Sequence, residues 1–362
     1  LSLSRCDVGL RVAIIRLSSL GDVIVGACVL PFVREKLQEK LGQEVEITWI
    51  VDNVFAEVLQ DSPCVDRLVR IDLKKGGIGA IPKIINRLKA LPYYDKVVDM
   101  QGLIKSAVCG RFLKYDEFWG FDKDSIKERA ASLFYKKKVR IPYENHILER
   151  NFVLVREALG LDDVNLERVY TRRKEAFSLN NKAKEQVATI MQECGIDSKK
   201  HLVLLVLESS LESKSYPVDL FVEMTAILLS QSQIQVLLLW YSTDKAREIK
   251  ACFESKDVVL LPRLSMSEIK ALIQKVSVVV GGDTGITHLA WAMQKPSVTL
   301  YGNTPASRFA LVGEQNVFLS GSENPRYQKN DFSIAKIAPR AIVGEIDTIL
   351  QRQHSVACER DI

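Results

Sequence analysis

The 362-residue sequence has no Cys-x-x-Cys pair, no GxxxxGK[ST] phosphate loop and no GxGxxG dinucleotide fingerprint. Nor does any apolar run approach the ~18 residues needed to span a bilayer. Its seven cysteines (Cys6, Cys28, Cys64, Cys109, Cys194, Cys252, Cys358) are scattered and odd in number. A disulfide framework or zinc site is therefore not expected, and a reducing, cytoplasmic compartment is. Arg5, Asp7, Arg16 and Asp22 break up any apolar stretch near the first residue, so no secretory signal is expected there. The net charge is only +5, and no basic stripe is interleaved with aromatics, which argues against nucleic acid as a partner.

With 47% hydrophobic and 26% charged residues, the chain has the composition of a soluble globular protein. Its length favours two domains over one. In the first half, RVAII (11–15), VEITWIV (45–51), DRLVRIDL (66–73) and KVVDM (96–100) read as strands, with helices predicted over 23–41 and 81–91. Polar sequence at 160–182 lacks a sustained period and reads as a linker. The alternation then restarts, with strands at 201–207, 234–240, 257–262, 276–282 and 297–302 separated by helical stretches. This predicts an α/β protein of two Rossmann-like, doubly wound domains facing each other across a cleft. The expected spans are 1–175 and 176–338, with a last helix at 339–362 packing back on the first domain.

In such sheets, ligands meet the turns that follow the strands, and four turns carry chemistry-bearing residues. In RLSSLGDV (16–23), Ser18, Ser19, Gly21 and Asp22 separate a strand from a helix, and the plain reading of Asp22 is a helix N-cap. In VVDMQGLIKSA (97–107), Asp99, Gln101, Gly102, Lys105 and Ser106 give the first domain a polar rim. The loop LESSLESK (207–214) offers two hydroxyls, Ser209 and Ser210, and the ammonium of Lys214, all good diphosphate partners. In VVVGGDTGITHLA (278–290), Gly281, Gly282, Asp283, Thr284 and Gly285 open a helix, with His288 one turn inside. Backbone N–H groups and the positive end of a helix make that turn suited to phosphate.

Taken in order, these turns resemble the lipopolysaccharide heptosyltransferases of glycosyltransferase family nine. RLSSLGDV is similar to that family's S-S-x-G-D turn, and VVDMQGLIKSA to its D-x-Q-G-L-x-K-S-A strand end. GGDTGITHLAWAMQKPSVTLYGNTP is similar to its D-T-G-x-x-H…Y-G-x-T segment. GFDKDSIKERAASLFYKKK (120–138) and HILERNFVL (146–154) resemble the branch that adds the first heptose. The resemblance implies a GT-B fold, an ADP-heptose donor on the second domain, a Kdo-lipid A acceptor on the first, and inverting transfer. It implies that Asp22 is the catalytic base. Donor contacts are implied for Ser209, Ser210, Lys214, Asp244, Leu264, Asp283, Thr284, Gly285 and His288. Asp283 is expected to orient its loop or accept from a sugar hydroxyl, not to touch phosphate. Preorganised donors of this kind replace a metal ion, so no metal or other cofactor is expected. Acceptor contacts are expected from Ser19, Gly21, Gln101, Gly102, Lys105, Arg129, Lys136 and Arg150. The protein is further expected to be a monomer in peripheral contact with the cytoplasmic face of the inner membrane.

The sequence departs from the family pattern where W-G-x-E grips the ribose. It reads Trp240-Tyr241-Ser242-Thr243-Asp244, where Thr243 or Asp244 is the expected substitute as ribose partner. Competing readings attach to single features. Asp122-Lys123-Asp124 has the spelling of a metal-binding pair but sits at a helix start, where it reads as a cap. A nucleotide-sugar epimerase would use the same fold without a second substrate. A non-catalytic basic docking module would not need Asp22 or Lys214. Basic clusters at Lys74–Lys75, Lys136–Lys138 with Arg140, and Arg172–Lys174 read either as solvated faces or as a surface for an anionic substrate or leaflet.

Overall fold

The computed structural model describes residues 9–42, 44–161 and 165–360. Arg5, Cys6, Asp7 and residues 162–164 of the 160–182 stretch lie outside the described residues. Two compact units divide the chain, Leu1–Ser178 and Leu179–Ile362.

The first unit is a six-stranded parallel sheet. Its strands are β1 (Leu10–Ile15), β2 (Val45–Asp52), β3 (Arg67–Ile71), β4 (Tyr93–Asp99), β5 (Lys114–Phe121) and β6 (Lys137–Val139), ordered β3-β2-β1-β4-β5-β6. The second unit repeats the plan with β7 (His201–Val206), β8 (Ile234–Leu239), β9 (Val258–Leu260), β10 (Val278–Gly282), β11 (Ser297–Tyr301) and β12 (Asn316–Ser320). Its order, β12-β11-β10-β7-β8-β9, is the same winding. Strands β8 and β10 are buried throughout and β7 at every position after His201, as near-continuous Val, Ile and Leu runs covered on both faces should be. The winding reverses between β1 and β4 in the first unit and between β7 and β10 in the second. At each reversal the following chains leave the sheet in opposite directions and open a crevice beyond the strand ends. Register brings the paired ends level: Ile15 lies opposite Asp99, and Val206 opposite Gly281.

Several elements differ from expectation. The helix predicted over 23–41 is two helices, Leu20–Ala27 and Leu30–Leu41, the second entered through Pro31, which has no N–H to continue the first. The 160–182 stretch is not a bare linker: Glu167–Arg172 is helical and Arg173–Ala176 forms a 3-10 turn. Strands β5, β6 and β12 were not anticipated. Of the last helix, Pro339–Arg360, Ile342, Val343, Ile346, Ile349 and Leu350 are buried in the second unit's core, with Phe221, Met224 and Leu228 of the Val218–Leu229 helix.

Candidate functional site

Beyond β1, the backbone of Arg16 and Leu17 stays paired with β2, through Arg16 N–H to Ile50 O and Asp52 N–H to Leu17 O. The chain then turns at Ser18 and enters the Leu20–Ala27 helix. Ser19, not Asp22, occupies the N-cap position, and Asp22 sits three residues on. The expected N-cap reading is thus corrected: the Asp22 carboxylate reaches back to the cap. Its Oδ2 accepts from the Ser19 N–H at 3.0 Å and from the Ser19 hydroxyl at 3.0 Å. Its Oδ1 lies 2.6 Å from Nη2 of Arg16, and the side chain remains 28% exposed. Gly21 is buried in the first turn of that helix.

The end of β4 joins this turn. Gln101 accepts from the Leu17 N–H through Oε1 (2.7 Å) and donates through Nε2 to Ser18 Oγ (3.0 Å), while Lys105 Nζ approaches the same hydroxyl at 3.3 Å. Gly102 makes the tight turn at φ +68°, where an added Cβ would fall 2.6 Å from Ile126 Cγ2. Asp99, fully buried beneath, accepts from the Gln101 and Gly102 N–H groups and from the hydroxyls of Ser106 and Tyr135. Burial pushes its carboxyl above the usual range against those donors. Asp99 is therefore the structural anchor of the rim, and Asp22 its more accessible acid.

Not every expected acceptor residue reaches this rim. Arg150 is 3% exposed, and its guanidinium donates to the carbonyls of Ile141, Pro142 and Ser125 while stacking over Phe121 and Tyr143. Burying a cation is tolerable only when its donors are engaged, and these hold the 122–143 segment together. Arg150 is thus corrected from an acceptor contact to a packing residue. Lys136 precedes edge strand β6, and its Nζ donates to Asp116 O in the first half of β5, away from the strand ends. Arg129 is exposed beside Asp124 on the segment whose Glu128 caps the Ile104 N–H, and so lies beside the helix start that carries Lys105. Asp122 accepts from the Asp124 N–H and caps a 3-10 turn, as its sequence position implied.

In the second unit, the loops after β7 and β10 meet in the same way. The Lys214 ammonium lies 2.5 Å from Asp283 Oδ2, and His288 Nε2 lies 3.1 Å from Asp283 Oδ1. Ser209 Oγ donates to the Asp283 carbonyl at 3.2 Å. Thr284 caps the Gly285–Ala292 helix, whose Thr287 hydroxyl returns to the Gly282 and Thr284 carbonyls. The two glycines are there for space. A Cβ on Gly282 would sit 2.1 Å from the Lys214 carbonyl oxygen, and one on Gly281 would sit 2.7 Å from Val206 Cβ. Burial alone would push the Asp283 carboxyl up. The hydrogen bond from His288 and the charge of Lys214 outweigh it and hold the carboxyl well below the usual range.

Ser210 is exposed on the same loop. Further along the edge, Asp244 is exposed in the first turn of the Thr243–Ala251 helix and Leu264 is half-buried after β9. Between them, Trp240 Nε1 donates to the Leu261 carbonyl at 2.7 Å and ties the two loops. Sequence reasoning did not foresee the partners of Glu208 in the 207–214 loop. Its carboxylate accepts the N–H groups of Tyr241 and Ser242 and so shapes the departing W-Y-S-T-D turn. It also passed over Arg16, whose signal was a charge placed inside an apolar run at a strand's end. Among the described residues, no group of three or more His, Cys, Asp or Glu side chains is placed to hold a metal ion. No helix there is long and apolar enough to cross a membrane.

The two-sheet fold has counterparts among known proteins. The model of glycosyltransferase family 9 (heptosyltransferase) matches residues 82–338, a span that begins after the Asp22 turn and includes the loops that carry Ser209, Lys214, Asp244, Leu264 and Asp283. Lipopolysaccharide heptosyltransferase 1 of Campylobacter coli is 31% identical over 276 residues, covering 72% of this chain and 74% of that one. The structure of E. coli heptosyltransferase WaaC with ADP superposes with a TM-score of 0.73 at 22% identity, over 94% of this chain and 100% of that one. E. coli ADP-heptose lps heptosyltransferase II gives the same TM-score, 0.73, at 17% identity, over 95% and 100%. With the matched span covering most of the chain and both sheets carrying the same winding, this protein belongs to glycosyltransferase family 9, the heptosyltransferases, and is a glycosyltransferase of GT-B fold.

Proposed function

We propose that this enzyme transfers heptose from ADP-heptose to the Kdo of Kdo-lipid A, the first heptose addition in lipopolysaccharide inner-core synthesis. The observation that carries the reading is the Lys214–Asp283–His288 cluster at the start of the Gly285–Ala292 helix. A helix N-terminus beside an ammonium is suited to a diphosphate. Ser209 and Ser210 add hydroxyls on the adjoining loop. The similar WaaC structure is one with ADP, and the Campylobacter coli relative carries the type 1 name, which favours the first addition over a later one.

In the proposed reaction, an acceptor hydroxyl attacks the anomeric carbon from the face opposite ADP. The new C–O bond forms as the bond from that carbon to the phosphate oxygen breaks, and configuration inverts. Asp22 takes the hydroxyl proton, and the charge that gathers on departing ADP is met by Lys214 and the helix start. With preorganised donors in that role the transfer needs no metal ion. Ser19, Gly21, Gln101, Gly102, Lys105 and Arg129 are the acceptor-side residues we retain. The enzyme acts as a monomer in peripheral contact with the cytoplasmic face of the inner membrane.

The test is to incubate the purified protein with ADP-heptose and Kdo-lipid A, with and without EDTA, and to follow ADP and lipid product together. Expected are a heptosyl-Kdo product, one ADP per transfer, and an EDTA-insensitive rate. Transfer only onto an acceptor that already carries heptose would move the enzyme to a later step. Release of ADP without acceptor would argue against a transferase.

A further inference from the structure

The Asp22 carboxylate is held from two sides, and only one of them serves the helix. The bonds from Ser19 to Oδ2 complete the start of the Leu20–Ala27 helix. Oδ1 is engaged by something the cap does not require, the guanidinium of Arg16 at 2.6 Å. Arg16 is 6% exposed. Its backbone stays in the sheet, with N–H to Ile50 O and its carbonyl accepting from Trp49 Nε1. Its side chain crosses to the neighbouring strand end, where Nη1 donates to the Met100 carbonyl. A buried cation is costly unless its donors are used. Here Nη1 and Nη2 join the ends of β1 and β4 to one oxygen of the partly exposed acid, while Nε is buried with no hydrogen-bond partner among the described residues.

We propose that Arg16 is a positioning residue for Asp22, fixing its carboxylate and setting a compensating positive charge against it; this rests on the reading of Asp22 as the base. An opposite charge within 4–6 Å lowers a carboxyl pKa by about 1–3 units. A guanidinium offers a rigid fork that reaches two acceptors at once, which an ammonium does not. The other charged groups on elements packed around the Leu20–Ala27 helix are engaged elsewhere or act less directly. Lys105 meets Ser18, and Asp99 is buried among four donors. Asp52 accepts from the Val54 and Lys74 N–H groups, and Glu57 follows it in the Asn53–Leu59 3-10 helix. On the Ile147–Leu159 helix, His146 caps the start, Asn145 donates to Glu149, Arg150 holds carbonyls and Arg156 pairs with Glu157.

The experiment measures kcat against pH, with the donor KM, for Arg16→Met, Arg16→Gln and Arg16→Lys, alongside Asp22→Asn. With the charge removed, both Arg16→Met and Arg16→Gln should move the acid limb of kcat up by about one pH unit or more, with the donor KM changed less than about twofold. Arg16→Lys should return the limb to its wild-type position with kcat still several-fold low. Arg16→Gln can keep a bond to Met100 O, so it serves if Arg16→Met does not fold. An unmoved acid limb in the neutral variants that fold would overturn the proposal while leaving the base assignment standing. An active Asp22→Asn would overturn both.

Discussion

The two strand-end turns occupy the same place in the same winding, yet they treat their acids in opposite ways. After β1, Asp22 is 28% exposed, with a guanidinium on one oxygen and Ser19 on the other. After β10, the Asp283 side chain is 8% exposed, clamped between Lys214 and His288 and held well below the usual carboxylate range. An acid that must exchange a proton with substrate needs access. One whose work is to position an ammonium and an imidazole is better sealed in. The comparison teaches that similar motif spelling, a glycine and an aspartate after a buried strand, can specify a partly exposed, guanidinium-paired acid in one unit and a sealed counter-ion in the other.

Breaking the exposed acid should cost most. Asp22→Ala is expected to lower kcat by ~10²–10⁴-fold, the range over which a positioned general base contributes. Steady-state rates with saturating donor check this. Next in size is the donor side. Lys214→Met should weaken ADP-heptose binding by about 10–100-fold, the worth of a charge-assisted hydrogen bond, as read by the donor KM.

The sealed acid should show its effect in stability, with a pH dependence that sharpens the contrast. Because the folded state depresses the Asp283 pKa, its ionised form adds stability at pH values above the unfolded carboxyl's, and that stability is lost as pH falls through the folded value. Asp283→Asn should therefore lose about 1–3 kcal/mol in urea unfolding at pH 7. The gap to wild type should narrow below about pH 4.

Much of the fold was legible because parallel sheets bury their central strands on both faces, leaving apolar runs such as RVAII and HLVLLVL with turns at their ends. What escaped lies at sheet edges and in long-range pairing. Strands β5, β6 and β12 carry charged or exposed positions, as edge or near-edge strands do, and their ladders rather than their composition define them. The polar turns at the strand ends were legible too, since Gly, Ser, Asp and Thr clusters have few uses after a buried strand. Partnerships were not. Lys214 and Asp283 are 69 residues apart, and Arg16 reaches a carbonyl 84 residues away. Arg150 was expected as an acceptor contact because nothing local shows three carbonyls closing around it.

The division of labour between the two turns is tested most directly by calorimetric titration of ADP into wild type, Asp22→Asn and Lys214→Met. The account predicts that Asp22→Asn binds ADP within about twofold of wild type while Lys214→Met binds at least about tenfold more weakly. Equal affinity in Lys214→Met, or a loss in Asp22→Asn as large as that expected for Lys214→Met, would contradict it.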